Sequence, residues 1–182
     1  EDGGRKLISV TDDGNGMSAA DLENAFLPHA TSKLSKPVDL EDICTLGFRG
    51  EALASISSIS HISAVTRERD SEAGYSLEID YGEMGEVTPA SGDYGTRIKV
   101  RDLFYKTPAR RKFLRSANTE IKHVKECFTR IALANCQLEM ILTHNGREVY
   151  RLSKDQPLRS RIRELFSERV AENLIETETE EK

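Results

Sequence analysis

At 182 residues, 37% hydrophobic and 31% charged, the chain is long enough for one domain with a buried core and the start of a second. Its net charge of −5 is uneven: residues 168–182 hold six Glu against Arg169 and Lys182, so the rest is nearly neutral, and charge alone neither indicates nor excludes nucleic acid. No apolar run reaches membrane-span length, no secretory signal opens the chain, and Cys44, Cys127 and Cys136, with no CxxC pair, read as reduced and mostly packed thiols of a cytosolic protein.

Alternation at 6–11, with Ile8 and Val10 on one face, predicts a strand. It runs into the turn signal Asp12-Asp13-Gly14-Asn15-Gly16. Ser18 to Asp21 has the spacing of a capping box for a helix carrying Leu22, Phe26 and Leu27, and Pro28 closes or kinks that helix. Residues 29–46 are polar and broken, a long loop of the kind that is usually functional. Gly47 and Gly50 then open a helix expected to run to about Ile59.

Strands are predicted at 61–67, 75–81 and 96–101 by period-two alternation. Such half-polar strands suit an antiparallel sheet with one covered face. A helix capped by Asn118 or Thr119 carries the stripe Ile121, Val124, Cys127, Phe128 and Ile131. Two strands, 137–144 and 147–152, flank Asn145-Gly146, a strong hairpin signal. A linker is expected at 153–156, followed after Pro157 by a helix with Leu158, Ile162, Leu165 and Phe166. The fold class is α+β, with a mixed, mostly antiparallel sheet and helices on one face. A start at Glu1 directly before a strand pattern, and an end in a Glu-rich helical stretch, lead us to expect a piece of a longer chain.

Four segments carry chemistry. In Gly47-Phe48-Arg49-Gly50-Glu51-Ala52-Leu53-Ala54-Ser55-Ile56, glycines lead into a helix whose free N–H groups suit a phosphate. The same pattern also describes an ordinary glycine-capped helix start. Asp12-x-Gly14-x-Gly16 at a strand end suits a purine, with a carboxylate for an exocyclic amine and glycines that let the ring approach; an Asx turn before a capped helix has the same residues. It is not a calcium loop, because Gly14, Gly16 and Met17 would fall at ligand, ligand and invariant-Gly positions. His29-Ala30-Thr31-Ser32-Lys33 offers hydroxyls and an ammonium, though without a preceding GxxxxGK[ST] it is no Walker loop. The densest basic run, from Lys106 to Arg115, is either a DNA phosphate contact or a solvated helix start.

Taken in this order, the segments resemble the MutL family of DNA mismatch repair proteins, within the gyrase, heat-shock chaperone, histidine kinase and MutL (GHKL) ATPase superfamily. The resemblance rests on Asp12-Asp13-Gly14-Asn15-Gly16-Met17, the His29 to Lys33 motif, the glycine stretch from Leu46, Gly95-Thr96, and Asp102-Leu103-Phe104-Tyr105-Lys106-Thr107-Pro108-Ala109-Arg110-Arg111-Lys112-Phe113. It implies a two-layer α/β sandwich over 1–153, lacking its first strand and helix, and the start of a second, transducer-type (ribosomal-protein-S5-like) domain over 154–182. By position, Asp12 would bind the adenine amino group, Gly14 and Gly16 would give the base room, and Thr96 would support the contact. Residues 29–47 would form a lid over ATP in which Ser32 and Lys33 make polar contacts. The backbone of Gly47, Phe48, Arg49, Gly50, Glu51, Ala52 and Leu53 would wrap the phosphates, while Arg110, Arg111 and Lys112 would be possible DNA contacts.

Two departures accompany the match. Lys106 stands where the family run has Asn, and no Glu lies four residues before any Asn, so the family's general base and Mg2+ ligand fall outside this sequence and no catalytic or metal residue is assigned. The resemblance further implies a magnesium-dependent ATPase in the intact protein, inactive in this stretch alone. It implies a homodimer or MutL-type heterodimer formed on ATP binding, DNA and a MutS-type mismatch-recognition protein as partners, and no membrane. The location would be cytoplasmic in a bacterium, nucleoid-associated, or nuclear in a eukaryote. Competing readings are a nucleotide-gated interaction clamp with little hydrolysis, a GHKL topoisomerase or kinase domain, and a plain DNA-binding module.

Overall fold

The computed structural model describes residues 1–28 and 51–175. It divides into two compact units, residues 5–114, and residues 1–4 with 115 onward.

The first unit is built on a sheet of six strands: β1 (Leu7–Asp12), β2 (His61–Arg67), β3 (Gly74–Asp80), β4 (Glu83–Met84), β5 (Thr88–Ala90) and β6 (Gly95–Arg101). Their order is β1-β6-β2-β3-β4, with β5 also on β3, and every ladder among the described residues is antiparallel. The register builds two cross-strand aliphatic rows, Ile8–Val100–Ile62–Ile79 and Val10–Ile98–Ala64–Leu77. Helix α1 (Ala19–Asn24) lies on this face, contributing Leu22 and, just past its end, Phe26; α2 (Ala52–Ser57) adds Leu53 and Ile56. Leu22, Ile62, Leu77 and Ile79 are fully buried, each such side chain contributing about 1.5–3 kcal/mol. On the outermost strand the rows run into open surface: Ile8 is 39% and Val10 62% exposed.

Local chemistry explains the helix ends. Ser18 caps α1 by accepting from Asp21 N, as its spacing predicts. Helix α2 stops at Ser57, short of Ile59, because the hydroxyls of Ser57, Ser58 and Ser60 donate back to the carbonyls of Ala54, Ser55 and Ile56. A four-residue helix, α3 (Pro108–Arg111), starts with proline at its first position.

In the second unit α4 (Ala117–Ala134) packs with the hairpin β7 (Met140–His144) and β8 (Arg147–Leu152), followed by α5 (Leu158–Leu165) and α6 (Glu168–Glu172). Asn145 and Gly146 both have positive φ, the turn geometry their pairing predicts. Ser116, not Asn118 or Thr119, caps α4. The buried stripe of α4 runs through Phe128 to Ala132; Cys127 lies beside it and is exposed, contrary to the packed thiol expected, while Cys136 is half-buried. Residues 153–156 do not separate compact units. Gln156 N donates to Cys136 O, and the fully buried Arg161 donates from one Nη to the carbonyls of Cys136, Leu138 and Ser153.

Candidate nucleotide-binding site

The aliphatic rows of the sheet give way at one end to a polar one. Asp12 ends β1 opposite Thr96 of β6, and Thr96 lies opposite Thr66 of β2. Strand alternation places all three on the face that carries the core. Thr66 is 1% exposed, so its hydroxyl must be satisfied within the protein. It accepts from Met17 N at 2.9 Å, donates to Gly95 O at 3.0 Å, and lies 3.1 Å from the Thr96 hydroxyl.

Two glycines let the chain close around this row. Gly16 has φ +72° and sits so close to the end of β2 that a Cβ would strike the Arg67 carbonyl and lie 2.8 Å from Glu68 N. Gly95, at φ +95°, leaves a Cβ no room beside the backbone of Asp12 and Asp13. Residues 12–17 are thus laid on the backbone ends of β2 and β6.

Asp12 Oδ1 accepts from Gly14 N at 3.0 Å, which is an Asx turn. The turn and the ligand role are compatible, since Asp12 is exposed and Oδ2 has no protein partner among the described residues. A carboxylate and a hydroxyl on paired strand positions, next to glycine backbone, can receive an N–H donor on a flat ring. The arrangement unites Asp12, Gly14, Gly16 and Thr96, and adds Thr66, which sequence reasoning missed. A cavity of about 370 Å³ lined by Arg67, Glu72, Gly74 and Pro89 involves none of these residues.

Residues 1–91 match the model of a family described as histidine kinase-, DNA gyrase B-, and HSP90-like ATPase. The chain belongs to that ATPase family. Within it, the chain is similar to MutL. It is 40% identical over 175 residues to the DNA mismatch repair protein MutL of Clostridium botulinum, covering 96% of this chain and 26% of the relative. It is 44% identical over 172 residues to MutL of Porphyromonas gingivalis, covering 94% and 28%. Among solved structures it resembles the Aquifex aeolicus MutL ATPase domain complexed with ADP, with TM-score 0.67 and 32% identity over 88% of this chain and 57% of that one. The chain thus spans about a quarter of the length of these curated relatives.

Of the other residues expected to serve an ATPase, Glu51 is the N-cap of α2 without a side-chain cap bond, Ala52 opens the helix, and Leu53 is half-buried against the core. Ser32, Lys33, Gly47, Phe48, Arg49 and Gly50 lie outside the described residues. Arg110 and Arg111 end α3, Lys112 is its C-cap, and all three are exposed, with Arg111 5.6 Å from the centroid of the Tyr105 ring. Lys106 bonds Asp80 at 3.1 Å and stands 4.3 Å from the centre of the Tyr81 ring. That lysine holds the Asp80 carboxyl below its usual range, while burial pushes the Tyr81 hydroxyl up. Among the described residues no group of three or more His, Cys, Asp or Glu could hold a metal ion.

Proposed function

We propose that this chain is the adenine-nucleotide-binding core of a MutL-type mismatch repair protein. In that reading the whole protein hydrolyses ATP slowly with magnesium. ATP binding closes residues 29–47 as a lid, brings two N-terminal regions together as a homodimer or heterodimer, and thereby gates contacts with DNA and a MutS-type partner. The observation that carries the nucleotide reading is the Asp12–Thr96–Thr66 row, where one carboxylate oxygen is held by Gly14 and the other has no protein partner among the described residues.

Asp12 accepts from the exocyclic amine, the carbonyl-packed glycines keep the ring plane clear, and the backbone of 47–53 receives the phosphates. No group of three or more His, Cys, Asp or Glu stands together among the described residues, and no residue is assigned to the ion. No Glu stands four residues before an Asn, so the general base is assigned outside these 182 residues. Arg110, Arg111 and Lys112 are proposed to contact DNA phosphates.

In the full-length protein, Asp12→Ala should weaken ATP binding by calorimetry about 10–150-fold, from the ~1.5–3 kcal/mol of a charge-assisted hydrogen bond. Unchanged affinity in a folded variant would remove Asp12 from the site.

A further inference from the structure

We propose that Thr66 is a positioning residue that fixes the Thr96 hydroxyl as a hydrogen-bond acceptor, and so makes the site selective for purines bearing a 6-amino group. The proposal rests on the nucleotide reading above and names what sets its base specificity.

A threonine hydroxyl has one hydrogen and two lone pairs. At Thr66, the Met17 N–H occupies one lone pair. The Gly95 carbonyl, 3.0 Å away, has no proton to give, so it takes the Thr66 hydrogen. What remains on Thr66 is one lone pair, 3.1 Å from the Thr96 oxygen, and the hydrogen that fits it is that of Thr96. Thr66 is 1% exposed, so bulk solvent does not compete for these partners.

With its hydrogen turned inward to Thr66, Thr96 presents lone pairs alone to a ligand. Its neighbour in register is Asp12, whose carboxylate oxygens are likewise acceptors. Two acceptors on adjacent strands match an amino group carrying two hydrogens. A 6-oxo group would bring a third acceptor against them, leaving buried polar groups unpaired. Without Thr66 the Thr96 hydroxyl could rotate and donate to that oxygen, and the discrimination would weaken.

The test compares dissociation constants for ATP and inosine triphosphate in the full-length protein. Thr66→Val keeps the side-chain shape and removes the hydroxyl. The ITP-to-ATP ratio of dissociation constants should fall about 3- to 10-fold, the worth of one neutral hydrogen bond. Thr66→Ser should restore the ratio. Thr96→Val should lower it as well, and the Thr66→Val/Thr96→Val double variant should fall no further than either single one. If Thr66→Val does not fold, Thr66→Cys, with a thiol that accepts weakly, is read on the same ratio.

Equal weakening of both nucleotides in Thr66→Val, no rescue by serine, or multiplying effects in the double variant would overturn the proposal and leave Thr66 a structural residue. Asp12→Asn separates the two layers. If it leaves ATP affinity unchanged, the nucleotide reading itself fails. If it weakens ATP while Thr66→Val leaves the ratio unmoved, the role of Thr66 alone fails.

Discussion

Gly16→Ala tests how tightly residues 12–17 are held to the end of β2. Two costs add. A non-glycine residue in the left-handed region at φ +72° carries about 1–2 kcal/mol. The new Cβ would also overlap the Arg67 carbonyl oxygen and carbon and lie 2.8 Å from Glu68 N, all backbone atoms that no rotamer change can move aside. Overpacking of that kind costs about 1–3 kcal/mol. The sum is about 2–5 kcal/mol. A matched control exists in the same unit: Gly82 has φ +92°, but its nearest neighbour is Ser58 Cα at 3.6 Å, so Gly82→Ala should carry the conformational part alone. Hydrogen exchange at the amides of β1, β2 and β6 reads this unit separately from the other. A shift of the loop would also stretch the Met17 N to Thr66 bond, now 2.9 Å, and ATP affinity should fall with stability. If Gly16→Ala costs no more than Gly82→Ala, residues 12–17 are not packed on the end of β2 and this site geometry is refuted.

Arg110 and Arg111 are exposed at the end of α3. If they contact DNA phosphates, changing both to Ala should flatten the salt dependence of DNA binding in the full-length protein by about two units of log–log slope; an unchanged slope would leave them a solvated face. Lys106 holds Asp80 ionised below the ordinary carboxylate range, chiefly through the hydrogen bond at 3.1 Å. A depressed carboxylate contributes stability that is present above its unfolded pKa and lost as pH falls through the folded one, so the contribution disappears in acid. Lys106→Asn, which restores the family residue, should move the Asp80 titration seen by NMR upward; a titration that stays in place would refute the pairing.

Sequence periodicity was informative where local rules decide. Strand β2 spans the residues its alternation predicts, Ser18 caps α1, and Asn145-Gly146 turns the hairpin. The departures are places where distant partners decide. Strand β7 begins at Met140 rather than Gln137 because Arg161, more than twenty residues away, takes the carbonyls of Cys136 and Leu138. Strand β5 contains Pro89, which argues against a strand in sequence but is tolerated at an edge. The cap of α4 fell to Ser116 where Asn118 and Thr119 compete nearby, and Glu120 accepts from Arg115 N to fix the entry. Asp12 and Thr96 were legible because glycines mark both. Thr66 was not: in an alternating strand it looks like any β-branched residue facing the core, and its role comes from a register that ties it to Met17, Gly95 and Thr96 together.

Residues 1–182 by themselves should show no ATP turnover. Attack of water on a terminal phosphate needs a base within about 2.6–3.2 Å of the proton it removes, and such a base contributes about 10²–10⁴-fold. Asp12 is committed elsewhere, to Gly14 N and, in the proposed reading, to the base. The family's arrangement of a Glu with an Asn four residues later is absent from the sequence. That leaves Glu51 as the carboxylate best placed to be mistaken for the base, since it heads α2 directly after the glycine stretch expected to hold the phosphates. A carboxylate held against phosphates would raise the charge there rather than activate water, so Glu51→Gln should leave the rate at background. Phosphate release by residues 1–182 should equal that of the Glu51→Gln variant. The full-length protein should show magnesium-dependent hydrolysis, and there replacing a Glu that stands four residues before an Asn should remove turnover while sparing binding. Hydrolysis by residues 1–182 above the Glu51→Gln control would place a catalytic carboxylate inside this sequence, and the division of roles between Asp12, the glycine stretch and an outside base would be wrong.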